Sequence, residues 1–225
     1  MISSSDLKAI VALLDEGRDV DAWIAVQDLW RRFPNLTMAG FVRAQAARFD
    51  RFMPRQHRVY VLRSFTVEPV LQLLEATAAL AGIRLTTEVG EFNAVAQEVF
   101  NPASDLYASE PQTVILAQQT RDVSPLLWTS VLADQSAIDD EVARVTAYYR
   151  RLIDAFRDNS RAALVVHGLE RPAYAPAGVL DGQRAASQAA GVAAANTALA
   201  IGDSRGRGGR GAFEGCCGRS FVSRF

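Results

Sequence analysis

Ser64, Asp122 and His167 are the side chains of this sequence best placed for nucleophilic and acid–base chemistry. Each ends or follows a short apolar segment: Ser64 comes after RVYVLR, Asp122 comes after TVILAQ, and His167 lies within ALVVHG. A serine can act as a nucleophile, an imidazole transfers protons near neutral pH, and a carboxylate can orient that base. We therefore treat the three as candidate catalytic residues.

Each of these residues also has a purely structural interpretation. Ser64 or Thr66 could cap a helix that begins near Val67, because either hydroxyl could accept a backbone N–H of the first turn. Asp122 could cap the turn before Pro125, and a lone histidine at the end of a strand is commonly a hydrogen-bonded structural residue. The residues alone leave both interpretations open.

The candidate residues depend on a regular alternation of strand-like and helical segments from residue 56 onward. Four short apolar runs predict strands at 58–63, 83–89, 113–118 and 163–168, and helices are predicted at 67–82, 93–100 and 136–158. Strands separated by helices form parallel sheets through right-handed crossovers. Because the strands of a parallel sheet run in the same direction, their carboxyl ends meet at one rim, where such sheets bind ligands. We predict the strand order 2-1-3-4.

The two ends of the chain have different patterns. Residues 1–55 predict three helices as an N-terminal extension, the first capped by Asp6 and the last running to Pro54. Residues 201–225 are rich in glycine and arginine and have no apolar periodicity, so we predict a disordered tail without a strand. The α/β domain accordingly spans 56–200.

The composition favours a soluble cytoplasmic protein with a packed core. Of the 225 residues, 49% are hydrophobic and 22% are charged, and the formal net charge is −1. This charge gives no general attraction to nucleic acid or to a membrane surface, and no apolar run is long enough to span a bilayer. The adjacent Cys216 and Cys217 match no disulfide or metal-ligand pattern, and the first residues match no secretory signal. We expect no metal site in this chain.

Three segments, SFTVEP, VGEFN and VVHGLERP, resemble the amino-terminal half of the FkbH-like proteins. In that family a domain similar to the SGNH hydrolases precedes a phosphatase-type domain of the haloacid dehalogenase (HAD) superfamily, subfamily IIIC. The resemblance covers residues 58–200 and implies a three-layer α/β fold with a flavodoxin-like or SGNH-like parallel sheet. It also implies transfer of a glyceryl unit from a phosphoglycerate-derived donor to an acyl carrier protein in polyketide biosynthesis.

The resemblance also implies roles for residues at the predicted rim. Ser64 takes the nucleophile position of a GDSxT block, and Asp122 takes the last position of a GxND block. Arg63 replaces the aspartate of the first block, Arg121 replaces the oxyanion-hole asparagine of the second, and no DxxH block follows His167. An arginine binds phosphate or carboxylate but does not reproduce the neutral oxyanion hole of an ester hydrolase. The expected substrate-binding residues are Arg63, Thr66, Gly90, Asn93 and Arg121.

Three functions remain open at this point. The first is a module that binds the acyl donor or the carrier protein, which Arg63 and Arg121 favour. The second is an SGNH-type esterase that uses Ser64. The third is a truncated, non-functional remnant, because the DxDxT motif of the Mg²⁺-dependent phosphatase domain is not in the sequence and we expect a disrupted reading frame near residue 200. A missing fifth strand would expose an apolar edge beside ALVVHG and favour aggregation or homo-oligomers.

Overall fold

The computed structural model describes residues 3–130, 134–184, 186–202 and 220–223. The chain forms two compact units, each with its own apolar core. The first unit contains Met1–Val59 and Thr66–Glu88, and the second contains Tyr60–Phe65 and Val89–Phe225. The first unit thus takes in a later helix and the first parts of two strands, at 55–59 and 83–88, in addition to the N-terminal helices.

The first unit is mainly helical. Its helices are α1 (Ser4–Asp15), α2 (Asp19–Arg32), α3 (Leu36–Ala44) and α4 (Glu68–Leu80), with a short 3-10 helix at Asp50–Phe52. Apolar residues recur at helical spacing, so each helix buries one face. The core of the unit includes Trp23 and Phe52, whose rings stack with their centroids 5.0 Å apart.

Two of the predicted helices differ from the observed ones at their ends. Ser3 caps α1 instead of Asp6: the Ser3 hydroxyl accepts the Asp6 N–H, and the Asp6 carboxylate accepts the Ser3 N–H in return. The third predicted helix ends at Ala44 instead of Pro54. The turn that follows buries Phe49, whose ring lies 5.1 Å from that of Trp23, so tertiary packing overrides the helical spacing there.

The sheet contains the four predicted strands in the predicted order. They are β1 (Arg55–Arg63), β2 (Ile83–Phe92), β3 (Thr113–Ala117) and β4 (Ala163–His167), and a fifth strand, β5, covers Ser220–Ser223. The order across the sheet is β2-β1-β3-β4-β5. The first four strands are parallel and helices flank them, which confirms the predicted α/β fold class with a flavodoxin-like arrangement.

Strand β5 corrects two expectations about the end of the chain. It pairs antiparallel with β4, with Val222 opposite Val165 and Ser220 opposite His167. The expected unpaired edge on β4 is therefore wrong, because backbone hydrogen bonds from β5 satisfy it. The prediction of a tail without a strand is also wrong for 220–223. The rest of the predicted disordered tail, at 203–219 and 224–225, lies outside the described residues.

The helices of the second unit share an apolar core with its strands. These helices are α5 (Val95–Phe100), α6 (Asp105–Ala108), α7 (Thr120–Val123), α8 (Pro125–Thr129), α9 (Gln135–Asn159) and α10 (Gln188–Gly202), with a 3-10 helix at Gly178–Gln183. Asp134 caps the long helix α9, whose buried face includes Tyr149 and Phe156. These side chains share one core with Leu62 and Leu116 of the sheet. Within the described ranges, no helix is long and apolar enough to cross a membrane.

Candidate functional site

Arg63, Ala117 and His167 form a row across three neighbouring strands at the carboxyl rim of the sheet. The register pairs Leu116 with Val166, and the Ser64 N–H donates to the Ala117 carbonyl oxygen at 2.9 Å. These contacts place Arg63, Ala117 and His167 opposite one another, and side chains that pair across a sheet point to the same face. The preceding residues of the three strands lie in the helix-covered core. The row of Arg63, Ala117 and His167 therefore lies on the opposite face.

Ser64 has a structural hydrogen bond that the sequence did not indicate. Its side chain is buried, with 2% of its surface exposed, and its Oγ accepts the backbone N–H of Gln119 at 2.9 Å. The hydroxyl thus joins the chain after β1 to the chain after β3. The predicted helix-capping role is wrong for both Ser64 and Thr66, because α4 has Val67 at its N-cap position and no side-chain hydrogen bond there. Thr66 itself is exposed and belongs to the first unit.

His167 is the last residue of β4, and its imidazole packs against an aromatic ring. The ring centroids of His167 and Phe65 lie 5.9 Å apart. The Nδ1 atom of His167 is buried and has no hydrogen-bond partner among the described residues. The structural interpretation from the sequence was a fully hydrogen-bonded histidine. The Nδ1 atom of His167 does not agree with that interpretation. Buried polar atoms are normally paired, so the lack of a partner for Nδ1 among the described residues is a departure from the common pattern.

Arg63 and Asn93 meet at the ends of β1 and β2. The Arg63 guanidinium lies over the Phe92 ring, with 5.4 Å between Cζ and the ring centroid, and the Asn93 N–H donates to the Arg63 carbonyl oxygen at 2.9 Å. Asn93 has a φ of 59°, a left-handed conformation that asparagine tolerates better than most residues. The sharp turn at Asn93 ends β2. Arg63 is accordingly a rim residue, as predicted, and Asn93 contributes its backbone to the turn.

Gly90 lies inside β2 and not beyond its end, because the strand runs three residues further than its apolar run, to Phe92. Gly90 is buried, and a Cβ atom there would come within 2.9 Å of Leu62 Cδ2 and even closer to the Glu98 carboxylate. Glu98 in turn accepts the Tyr60 hydroxyl at 2.7 Å. Close packing around Glu98 therefore accounts for a glycine at this position. Glu98 is not among the residues predicted from the sequence; an acid within the apolar run AVAQEVF was the available signal.

Arg121 and Asp122 lie on the short helix α7, immediately after the chain segment that Ser64 contacts. Arg121 is 56% exposed, and its Nε lies 3.9 Å from a carboxylate oxygen of Asp122. The preceding residue, Thr120, donates its N–H to the Glu170 carboxylate at 3.0 Å, and its hydroxyl contacts the same residue. Glu170 follows β4, so this contact joins the loop after β3 to the loop after β4. Asp122 has its ion-pair contact with Arg121, and no contact joins it to His167 in the part of the chain that the structure describes.

A second buried carboxylate holds α7 and α8 against α9. Glu141 of α9 is buried; it accepts the Arg144 Nε–H at 2.7 Å and also accepts the Ser124 hydroxyl. Arg144 donates to the Val123 carbonyl oxygen at 2.6 Å. The hydrogen bond from Arg144 holds the pKa of the Glu141 carboxyl below its usual range, although burial opposes this effect. The ion pair thus fixes the end of the segment that carries Arg121.

The candidate site therefore combines a buried, structurally engaged serine with basic groups at the same rim. Arg63 and Ser64 lie at the carboxyl end of β1 and His167 at that of β4, and β3 lies between these two strands. No group of three or more His, Cys, Asp or Glu side chains suited to a metal ion occurs among the described residues. The arrangement can donate hydrogen bonds to an anion through Arg63 and Arg121. Whether Asp122 and His167 act in one reaction stays a prediction.

No protein-family model and no curated protein match this chain. One solved structure is similar, the N-terminal part of the protein BF1531 from Bacteroides fragilis, described as containing a phosphatase domain complexed with Mg. The TM-score is 0.51 at 13% sequence identity, and the match covers 67% of this chain and 38% of that chain. This chain thus spans well under half the length of the solved neighbour. At this sequence identity the similarity shows a shared fold alone.

Proposed function

We propose that this chain is a binding module of the FkbH-like type, which holds the anionic arm of an acyl carrier protein or a phosphoglycerate-derived donor. The observation that carries this proposal is the state of Ser64. A nucleophilic serine needs an adjacent base and access to substrate. Ser64 is buried, and its oxygen is engaged by the Gln119 backbone. An SGNH-type esterase that uses Ser64 is therefore the weaker candidate.

The charges at the rim support an anionic ligand. Arg63 and Arg121 belong to the segments that end at the rim and supply two guanidinium groups; the carboxylates of Asp122 and Glu170 lie in the same loops. Guanidinium groups form bidentate hydrogen bonds with phosphate and carboxylate, which suits a phosphopantetheine arm or a phosphoglycerate.

The solved neighbour supports a division of labour between domains. Its description joins a similar fold to a phosphatase domain that holds Mg. By analogy, the chemistry and its Mg²⁺ ion would belong to a phosphatase domain, and the module described here would position the donor or the carrier. This analogy rests on fold and on the resemblance of SFTVEP, VGEFN and VVHGLERP to FkbH-like proteins.

The proposal is tested by measuring the affinity of the chain for 4′-phosphopantetheine and for 3-phosphoglycerate by isothermal titration calorimetry. We expect Arg63→Ala and Arg121→Ala each to weaken binding of one of these anions by about tenfold, which is about 1.4 kcal/mol. Arg150→Ala, which removes an exposed arginine from α9, is the matched control and should leave affinity unchanged. Equal affinities for all four proteins would contradict the proposal.

A hydrolysis assay separates the module from the esterase. The chain should not cleave p-nitrophenyl acetate or p-nitrophenyl butyrate faster than the Ser64→Ala variant does. A Ser64-dependent turnover of either ester would establish the esterase and overturn the proposal.

A further inference from the structure

Strand β2 forms one edge of the sheet, and its backbone polar groups are open on one side. Among the described residues, β1 is the only strand that pairs with β2. Strand β2 is ten residues long, whereas β5 at the other edge has four. Alternate N–H and C=O groups of an edge strand point away from the sheet and can pair with another chain. Strand β2 is thus a template on which a further strand can form.

Two opposite charges lie on the same face of this edge strand. The Thr87 hydroxyl contacts the Glu75 carboxylate of α4, so Thr87 points to the face that contacts α4. Side chains alternate along a strand, which places Arg84, Thr86 and Glu88 together on the opposite face. Thr86 and Glu88 are exposed. The arginine and the glutamate are therefore spaced evenly on either side of a central threonine.

This spacing makes the strand complementary to itself. In an antiparallel pair of two β2 strands centred on Thr86, residue 84 of each copy lies opposite residue 88 of the other. Arg84 of one chain then faces Glu88 of the second chain, and the same contact recurs on the other side of the centre. A symmetric dimer requires such reciprocal contacts. Opposite charges directly across an antiparallel pair are stabilising, and like charges there are destabilising.

The other charges near the start of β2 keep this complementarity. Arg84 forms an ion pair with Asp50, and Arg55 of β1 donates to the Ala81 carbonyl oxygen at 3.0 Å. These three charged groups leave one net positive charge at the start of the strand, and Glu88 adds one negative charge further along. The Arg84 side chain is 42% exposed, and a guanidinium has five N–H donors, so Arg84 can bind Asp50 and a second carboxylate together. Antiparallel pairing sets the positive part of one strand beside the negative part of the other.

We propose that β2 pairs antiparallel with β2 of a second copy of this chain, with the two-fold axis at Thr86 and reciprocal ion pairs between Arg84 and Glu88. This pairing joins two sheets into one and gives partners to the open backbone groups of both edges. The two β2 strands run in opposite directions, so the carboxyl rims of the two sheets face opposite ends of the dimer. The contact therefore goes beyond the proposed function and does not depend on it.

Sedimentation velocity with charge-reversed variants tests the contact. The unmodified chain should show a reversible monomer–dimer equilibrium over a series of concentrations. Arg84→Glu and Glu88→Arg each set like charges opposite one another, so each should raise the dimer dissociation constant at least about tenfold. An equal mixture of these two variants should form the dimer again, because opposite charges face each other at both positions of the mixed pair. Asp140→Arg and Arg150→Glu reverse exposed charges on α9 and are the matched controls, which should dimerise normally.

Disulfide cross-linking tests the register of the two strands. In a Cys216→Ser/Cys217→Ser background, Thr86→Cys should give a covalent dimer on mild oxidation, because the two copies of residue 86 lie directly opposite each other. Glu88→Cys is the control and should not cross-link. The two copies of residue 88 would lie four residues apart along the strands, which is about 13 Å and beyond the reach of a disulfide.

Three results would overturn the proposal. The first is a chain that remains monomeric at every concentration. The second is dimerisation that neither charge reversal weakens, or that the mixture of the two variants does not restore although both variants are folded by circular dichroism. The third is cross-linking of Glu88→Cys in place of Thr86→Cys. If a charge variant does not fold, the cross-linking result decides by itself.

Discussion

Replacing Ser64 by alanine separates a structural serine from a catalytic one through stability alone. In Ser64→Ala the backbone N–H of Gln119, in a half-buried residue, loses the buried oxygen that accepts it at 2.9 Å. A buried donor without a partner costs about 1–3 kcal/mol, and the surrounding strands leave little room for water because Ser64 is buried. We therefore expect the free energy of unfolding to fall by about 2 kcal/mol, which lowers the melting temperature by about 4–8 °C for a chain of this size.

Urea denaturation followed by circular dichroism measures this loss. The midpoint should fall while the slope m stays constant, because the change does not alter the surface exposed on unfolding. Ser136→Ala removes an exposed hydroxyl from the first turn of α9 and should shift stability by no more than about 0.5 kcal/mol. A Ser64→Ala protein that is as stable as the unmodified chain, or more stable, would refute the structural role of this serine.

Three other changes test the packing and the charges of the second unit. Gly90→Ala should lower the unfolding free energy by about 1–3 kcal/mol in urea, whereas Gly40→Ala, on an open face of α3, should not lower it. Arg144 lowers the folded-state pKa of Glu141 below the ordinary 4.5. The stabilisation by this ion pair is therefore present above pH 4.5 and is lost as the pH falls through the lowered pKa. Between pH 7 and pH 3 the urea midpoint should fall less steeply for Glu141→Gln than for the unmodified chain. Arg121→Ala should change the melting temperature of the chain by less than about 2 °C, because the side chain is exposed.

The positions of β1, β3 and β4 were predictable because each is an apolar run bounded by polar residues. RVYVLR, TVILAQ and ALVVHG place Arg63, Gln118 and His167 at the same rim from the sequence alone. Which face each side chain takes was not predictable, since strands buried on both faces are apolar throughout and show no alternation. The opposite orientation of Leu62 and Arg63 becomes visible only from the core and the register.

Most of the features that could not be predicted from the sequence depend on contacts between residues far apart in the chain. Strand β5 is only four residues long and lies within a glycine- and arginine-rich segment, so neither its length nor its composition indicates a strand. The contacts of Ser64 with Gln119 and of Thr120 with Glu170 join residues about 50 positions apart in the chain. No local pattern encodes such partners, and the same holds for the packing of Gly90 against Glu98.

The contact between Thr120 and Glu170 has a thermodynamic consequence for ligand binding. Two loops that share a half-buried carboxylate lose their independent motions when the chain folds, so this loss of entropy precedes ligand binding. Arg121, one residue further along, is then carried by a backbone already in its bound position. A phosphate that reaches the rim would bind with a small entropic penalty and a heat dominated by the guanidinium hydrogen bonds. In Glu170→Ala the entropy of phosphate binding should become more unfavourable, while the enthalpy of binding stays nearly unchanged.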